Sequence, residues 1–210
     1  MPRPLTLDDV LVALQQPLPG PKAQSRMATR PRALPEEFAH SQPPRTGAVL
    51  ILLYPHAGQL HLPLTRRTQR VANHKGQISL PGGGQEEGDA SLWATALREA
   101  AEEIGIHPEE VRYLGALTPL YIPPSNFDIH PFVGYTPARP RFSLAQEEVA
   151  ELIELPLEVL LDPQSKAEET WVWRDRPMQV PFYRYQGHVI WGATAMVLSE
   201  LEALLQSSRP

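Results

Sequence analysis

The chain has no cysteine. That absence excludes a disulfide framework, a zinc–thiolate centre and a cysteine nucleophile. It also has no apolar run near the roughly 18 residues that a bilayer span requires. At the N-terminus, Asp8 and Asp9 fall where a secretory signal would carry its apolar segment. A soluble, cytoplasmic protein with no membrane partner is therefore expected. Basic residues are outnumbered: 19 Lys and Arg face 24 Asp and Glu, for a formal charge of −5. A nucleic-acid platform usually shows a basic surface, so no nucleic-acid partner is expected either, although Arg66, Arg67 and Arg70 form a local basic cluster. No segment repeats. Proline is in excess, at 24 of 210 residues, mostly between candidate elements, where it restricts the unfolded chain. A hydrophobic content of 42% is ample for one core.

Thr6-Leu7-Asp8-Asp9 reads as a capped helix start, with Val10, Leu11 and Leu14 as its apolar face and Pro17 to Pro21 as its end. Residues 17–45 read as an extended, proline-rich arm. Gly47 to Tyr54 is a short continuous apolar run, the pattern of a buried strand. Gln59 to Arg66 pairs with it across a turn at His56-Ala57-Gly58. Val111 to Leu120 and Ile129 to Tyr135 read as further strands, bridged by Pro123-Pro124-Ser125-Asn126. Glu148 to Leu152 reads as strand or turn, and Pro156 to Leu160 as a helical turn. Phe182 to Tyr185 and His188 to Trp191 form a hairpin closed at Gln186-Gly187. Ala193 to Gln206 is an amphipathic helix with Val197, Leu198, Leu201, Leu204 and Leu205 on one face. This order does not alternate as a doubly wound sheet would. It suits an α+β fold or an α/β/α sandwich.

The densest chemistry lies between Leu80 and Ile106. A glycine turn, Gly82-Gly83-Gly84, feeds a helix over residues 90–103 that carries Glu99, Glu102 and Glu103. At i, i+3 and i+4 these fall within roughly 100° of one another. Like charges so placed repel by a few tenths of a kcal/mol per pair, so the trio asks for a cation, and a hard divalent ion with oxygen ligands suits it. Trp93, Leu97, Ala101 and Ile104 form an apolar stripe opposite the carboxylates, and Leu92, Ala96 and Ala100 flank them. Gly105 ends the helix as a left-handed cap should. The bland alternative is a solvated acidic face. The agreement of turn, helix, trio and cap favours the metal site.

Gly83, Asp89, Arg98, Glu99, Ala100, Glu102, Glu103, Gly105 and Ile106 together resemble the Nudix box, the signature of the Nudix hydrolases. Two departures stand out: Asp89 replaces the usual Glu, and one additional residue separates it from Arg98. Both departures are similar to those of the coenzyme A pyrophosphatase-like subfamily. So is the stretch Leu64-Thr65-Arg66-Arg67-Thr68 with His74-Lys75-Gly76-Gln77-Ile78-Ser79-Leu80-Pro81-Gly82-Gly83. Arg67 and Gly76 fall on that motif's fixed positions; Thr68, Ala72 and Leu80 depart from it. Val189 to Ala195 resembles a further stretch of the subfamily.

The resemblance, which covers roughly residues 45 to 205, implies a mixed sheet between helices with a loop–helix–loop catalytic motif; residues 46–210 are read as the catalytic domain and residues 1–45 as an N-terminal helix and arm. It implies Mg²⁺ or Mn²⁺ held by Glu99, Glu102, Glu103 and the Gly83 carbonyl, and hydrolysis of coenzyme A or acyl-coenzyme A to 3′,5′-ADP and 4′-phosphopantetheine. A homodimer is a further expectation from the family. Arg98 is read as orienting a carboxylate, with Glu102 in reach at i+4. Asp89 serves either as helix cap or near the metal. Glu102, Glu103 and, on a loop after the central sheet, Glu147 or Glu148 are candidates for the general base. Arg66, Arg67 and Arg70 are candidates for the 3′-phosphate, and His74, Gly76, Gln77, Gly82 and Gly83 for further substrate contact. Trp191 is read as core. Two alternatives stay open: a pyrophosphohydrolase acting on ADP-ribose, a dinucleotide or a nucleoside triphosphate, and a catalytically silent nucleotide-binding module.

Overall fold

The computed structural model describes residues 3–32, 38, 40–68, 76–173 and 175–208. Arg70, Ala72, His74 and Lys75 lie outside the described residues. Helix α1 (Leu7–Leu14) starts in the expected capping box: the Thr6 hydroxyl accepts from the Asp9 N–H, and the Asp9 carboxylate accepts from the Thr6 N–H. The arm that follows is not simply extended. Pro21–Gln24 forms one helical turn, α2, continued by a 3-10 turn at Ser25–Met27. Pro21 at the first helical position, with φ already set, favours that turn.

Strands β1 (Arg45–His56) and β2 (Gln59–Arg67) form the expected hairpin. After β3 (Ile78–Ser79) and β4 (Gly82–Gly84) comes α3 (Leu92–Ile104). Next are β5 (Arg112–Ala116), β6 (Leu120–Ile122), β7 (Phe127–Tyr135) and β8 (Val149–Pro156). The chain closes with β9 (Lys166–Trp173), β10 (Arg176–Tyr185), β11 (His188–Trp191) and α4 (Gly192–Ser207). One sheet runs β3-β2-β1-β7-β5, with β4 also on β1, β6 on β7 and β8 on β2. β1 and β7 are parallel, whereas the sheet's other pairings are antiparallel, so the sheet is mixed. A second, antiparallel sheet runs β11-β10-β9.

The apolar run of β1 explains the layering. Successive strand side chains point to opposite faces. Ala48, Leu50, Leu52 and Tyr54 pack with Ala96, Ala100 and Ile104 of α3. Ile51 and Leu53 pack on the other side with Val10 and Ala13 of α1 and Leu198, Leu201 and Leu205 of α4. A strand buried on both faces needs apolar residues at every position. The result is the α/β/α sandwich expected, and α1 belongs to the same core as the remainder of the chain.

Several boundaries differ from the sequence reading. The strand expected over Val111 to Leu120 is split into β5 and β6. Pro119 has no N–H to give a ladder, and Thr118 turns to donate to Glu200 instead. The segment from Glu148 is a full strand, β8, because β2 offers it a partner over seven register positions. β9 was not anticipated; it pairs along β10, whose second half forms the predicted hairpin with β11. Helix α3 starts at Ser91, which accepts from the Ala94 N–H at 3.1 Å, so Asp89 is not its cap. Its most buried face is Ala96, Ala100, Glu103 and Ile104, with Trp93, Leu97 and Ala101 only partly buried. Glu103 thus faces the protein interior.

Helix α4 buries the five predicted residues and also Glu200, which is 0% exposed. The Glu200 carboxylate accepts from the Gly20 N–H (3.1 Å), Gln24 Nε2 (3.0 Å), the Thr118 N–H (3.2 Å) and the Thr118 hydroxyl (2.6 Å). It joins the arm, the β5–β6 connection and α4. Glu200→Ala strands those donors and is expected to cost about 3 kcal/mol, with Glu200→Gln costing less because it keeps an acceptor. Urea unfolding midpoints measure this; an alanine variant within about 0.5 kcal/mol of wild type contradicts it.

Candidate active site

Strand β4 lies between β1 and α3, and its glycines let the two approach. Gly82 has φ of 151°, and a Cβ there would stand 2.3 Å from the Ala48 carbonyl oxygen. A Cβ on Gly83 would stand 2.5 Å from the Glu99 carboxylate. Glycine is thus required once for backbone conformation and close packing, and once to seat an acid against a strand.

Glu103 is 3% exposed. Its Oε1 lies 3.5 Å from Arg67 Nη1, it accepts from the Gly82 N–H, and its buried Oε2 has no hydrogen-bond partner. Burial pushes its pKa up to about 7; Arg67 and the Gly82 N–H oppose this, while Glu99 and Glu148 add to it. Glu99 is also raised, first by burial, with Arg98 opposing and Glu102 and Glu148 adding repulsion. Glu102 is different: its side chain is 60% exposed and faces Arg98.

Glu148, proposed from the loop after the central sheet, is brought to this cluster. The loop before β8 is tied to the end of α3 by Ser143 N–H to the Ile104 carbonyl and Ala145 N–H to the Glu103 carbonyl, both 3.0 Å. That tether holds the exposed Glu148 close enough to repel both Glu99 and Glu103. Glu147 sits beside it, its carbonyl accepting from the Thr68 hydroxyl.

Arg98 reaches Glu102, the residue at i+4, but its main partner is Asp89. Nε and Nη2 form a fork on the Asp89 carboxylate at 2.9 and 3.0 Å. The same guanidinium reaches Glu99 (3.0 Å), Glu102 (3.2 Å) and the Gly84 carbonyl (3.0 Å). Arg98 and the Glu86 N–H hold the Asp89 carboxyl far below the usual carboxylate range. Because α3 begins only at Leu92, the additional residue after Asp89 rotates nothing; Asp89 loops back to the helix from outside it.

A cleft of about 600 Å³ opens beside the acids, within the range of small-molecule sites. Arg67, Gln77, Gly82 and Gly83 line one part of it. Phe127, Trp171, Trp191 and, from the arm, Thr29, Arg32 and Phe38 line more. Trp191, read as core, is therefore a wall residue, set edge-on to Trp171 at 5.1 Å. Arg66 is not in this lining. It is spent on Glu151 (2.8 Å), His188 Nδ1 (2.7 Å) and the Gly76 carbonyl (3.4 Å). Gly76, with φ of 68°, turns the chain back and donates to the Arg67 carbonyl. The aromatic wall and the arm's contribution were missed from sequence; the alternation Trp171-Val172-Trp173 was their one local signal.

The donor chemistry suits a divalent cation. Two carboxylates, Glu99 and Glu103, are pressed together in a partly desolvated place, one with an orphaned buried oxygen. Among the described residues no three acidic or imidazole groups form a finished ion cage; Glu102 is exposed and paired with Arg98. A cation would relieve the repulsion and occupy the orphaned oxygen.

The NUDIX domain profile matches residues 44–178. A protein of Pectobacterium atrosepticum named as an uncharacterised Nudix hydrolase, NudL, is 37% identical over 185 residues, covering 84% of this chain and 91% of that one. Nudix hydrolase 22 of Arabidopsis thaliana, a chloroplastic protein, is 33% identical over 174 residues, 80% of this chain and 57% of that one. Among solved structures, the M. smegmatis Nudix hydrolase RenU superposes with a TM-score of 0.54 at 13% identity, over 88% of this chain and 95% of that one, a likeness of fold. The domain match covers well over half of the sequence and contains the glycine strand and the acidic helix, so the chain belongs to the Nudix hydrolase family.

Proposed function

We propose that this Nudix hydrolase cleaves the diphosphate of coenzyme A and its acyl derivatives, giving 3′,5′-ADP and 4′-phosphopantetheine. The observation that carries the reading is the cleft lining. Arg67, Gln77, Gly82 and Gly83, all from the stretch similar to the coenzyme A subfamily, face one cavity beside Glu99 and Glu103. A loop of residues 74–77 turned away from the cleft would favour another diphosphate substrate; of that loop, Gln77 lines the cleft.

Glu99 and Glu103 would hold Mg²⁺ or Mn²⁺, with Glu102 at the edge and the Gly83 carbonyl as a further donor. Such an ion, when bound, supplies charge neutralisation for the diphosphate and acidifies the attacking water. Arg98, anchored on Asp89, keeps Glu99 and Glu102 oriented. Arg67, beside Glu103, offers its guanidinium to a phosphate oxygen. Glu148 accepts the proton of the attacking water, its carboxylate being exposed and next to buried Glu103 and half-buried Glu99. The glycine strand admits the diphosphate without a side chain in the way.

With Mg²⁺ present, chromatography is expected to show 3′,5′-ADP and 4′-phosphopantetheine from coenzyme A, and far slower turnover of ADP-ribose. The reverse order sinks the substrate reading. Glu102→Gln or Glu103→Gln is expected to lower kcat about a hundredfold or more; full turnover in either removes the site. Mn²⁺ at a hundred times its Kd is expected to stabilise the wild type by about 2.7 kcal/mol. Glu103→Gln, read by thermal unfolding, should lose most of that gain. The two glycines separate fold from function. Gly83→Ala displaces only the flexible Glu99 carboxylate, so stability changes by about 1 kcal/mol while turnover collapses. Gly82→Ala meets backbone at 2.3 Å and is expected to cost about 3 kcal/mol. Equal unfolding midpoints for the two variants contradict this.

A further inference from the structure

The cleft lining includes two arginines of different situation. Arg67 is paired with Glu103 at 3.5 Å. Arg32 comes from the N-terminal arm, and among the described residues no carboxylate pairs with it. Its place is set by its neighbour. Arg30 forms a backbone bridge with Gln179 of β10, N–H to carbonyl at 2.9 and 2.8 Å in the two directions, and its guanidinium is paired with Glu168. Thr29, beside Arg30, also lines the cleft. The arm is therefore pinned to the second sheet where Arg32 faces the cavity. The same cavity holds the rings of Phe127, Trp171 and Trp191, surfaces suited to stacking a base. A guanidinium fork with no carboxylate of the described residues on it, beside aromatic faces, suits a phosphate carried on a nucleoside. Arg66, the other arginine available on β2, is consumed by Glu151 and His188.

We propose that Arg32 is the specificity residue for the 3′-phosphate, the group that separates coenzyme A from its dephospho form. The inference rests on the coenzyme A reading above. The arm then becomes part of the substrate site, and Arg67 is left to the scissile diphosphate.

The test compares kcat and KM for coenzyme A and dephospho-coenzyme A, with Mg²⁺, in the wild type, Arg32→Ala and Arg32→Lys. Arg32→Ala is expected to raise KM for coenzyme A about tenfold with little change in kcat, the loss of one charge-assisted contact made equally in ground and transition states. Dephospho-coenzyme A, lacking the phosphate, should shift by about twofold or less. Arg32→Lys, which keeps the charge and loses the fork, should fall between. Calorimetry with 3′,5′-ADP against 5′-AMP gives a readout without turnover: the wild type should prefer the former and Arg32→Ala should not. Equal effects on both substrates, or none on either, overturn the assignment to Arg32. A wild type that cleaves ADP-ribose but neither form of coenzyme A overturns instead the substrate reading beneath it.

Discussion

The structure turns on one carboxylate that is put where a charge is costly. Glu103 is 3% exposed, packed against the glycine strand, with Arg67 at 3.5 Å and an oxygen that none of the described residues satisfies. Taking an acid out of water is favourable only with a compensating cation or a full set of donors. Here the compensation is partial, and Glu99 and Glu148 make it worse by repulsion. An acid left in that state on a rigid helix is the physical basis of the metal site proposed above.

The surroundings serve that arrangement. Gly82 and Gly83 have no side chains, so α3 can lie against β4 with the Glu99 carboxylate seated on Gly83, while both glycines line the cleft. The loop of residues 143–148 is tied to the end of α3, so Glu148 arrives at the same place from a distant part of the chain. Arg98 takes its strongest contact from Asp89, outside the helix, which leaves the guanidinium fixed while it holds Glu99 and Glu102. Glu200 does a comparable task on the other side of the sheet, where four donors from two segments, the arm and the β5–β6 connection, meet one buried acid. The cleft is in consequence a composite: the central sheet gives its floor, the second sheet its aromatic wall, and the arm a further edge.

Local patterns read well where a single element decides the outcome. The apolar run of β1, the capping box at Thr6, the left-handed cap at Gly105 and the β10–β11 hairpin each follow from a few neighbouring residues, and the structure reproduces them. Boundaries read less well where a partner decides. β8 is long because β2 lies beside it, β9 exists because β10 does, and β5 stops because Thr118 is drawn to Glu200.

The sequence by itself determined the family, the layered fold and the acidic helix behind three glycines, because spacing along one helix or strand sets which side chains share a face. It could not say which acid is buried. Glu99, Glu102 and Glu103 look alike in sequence, yet one is sealed, one half-sealed and one open. Nor could it say that Arg66 and Arg67, adjacent in the chain, go to different partners, or that Arg32 and Trp171 wall the same cavity. Those facts depend on which surfaces meet after long stretches of chain have folded back. Burial and electrostatic environment come from contacts between segments, and only the tertiary structure supplies them.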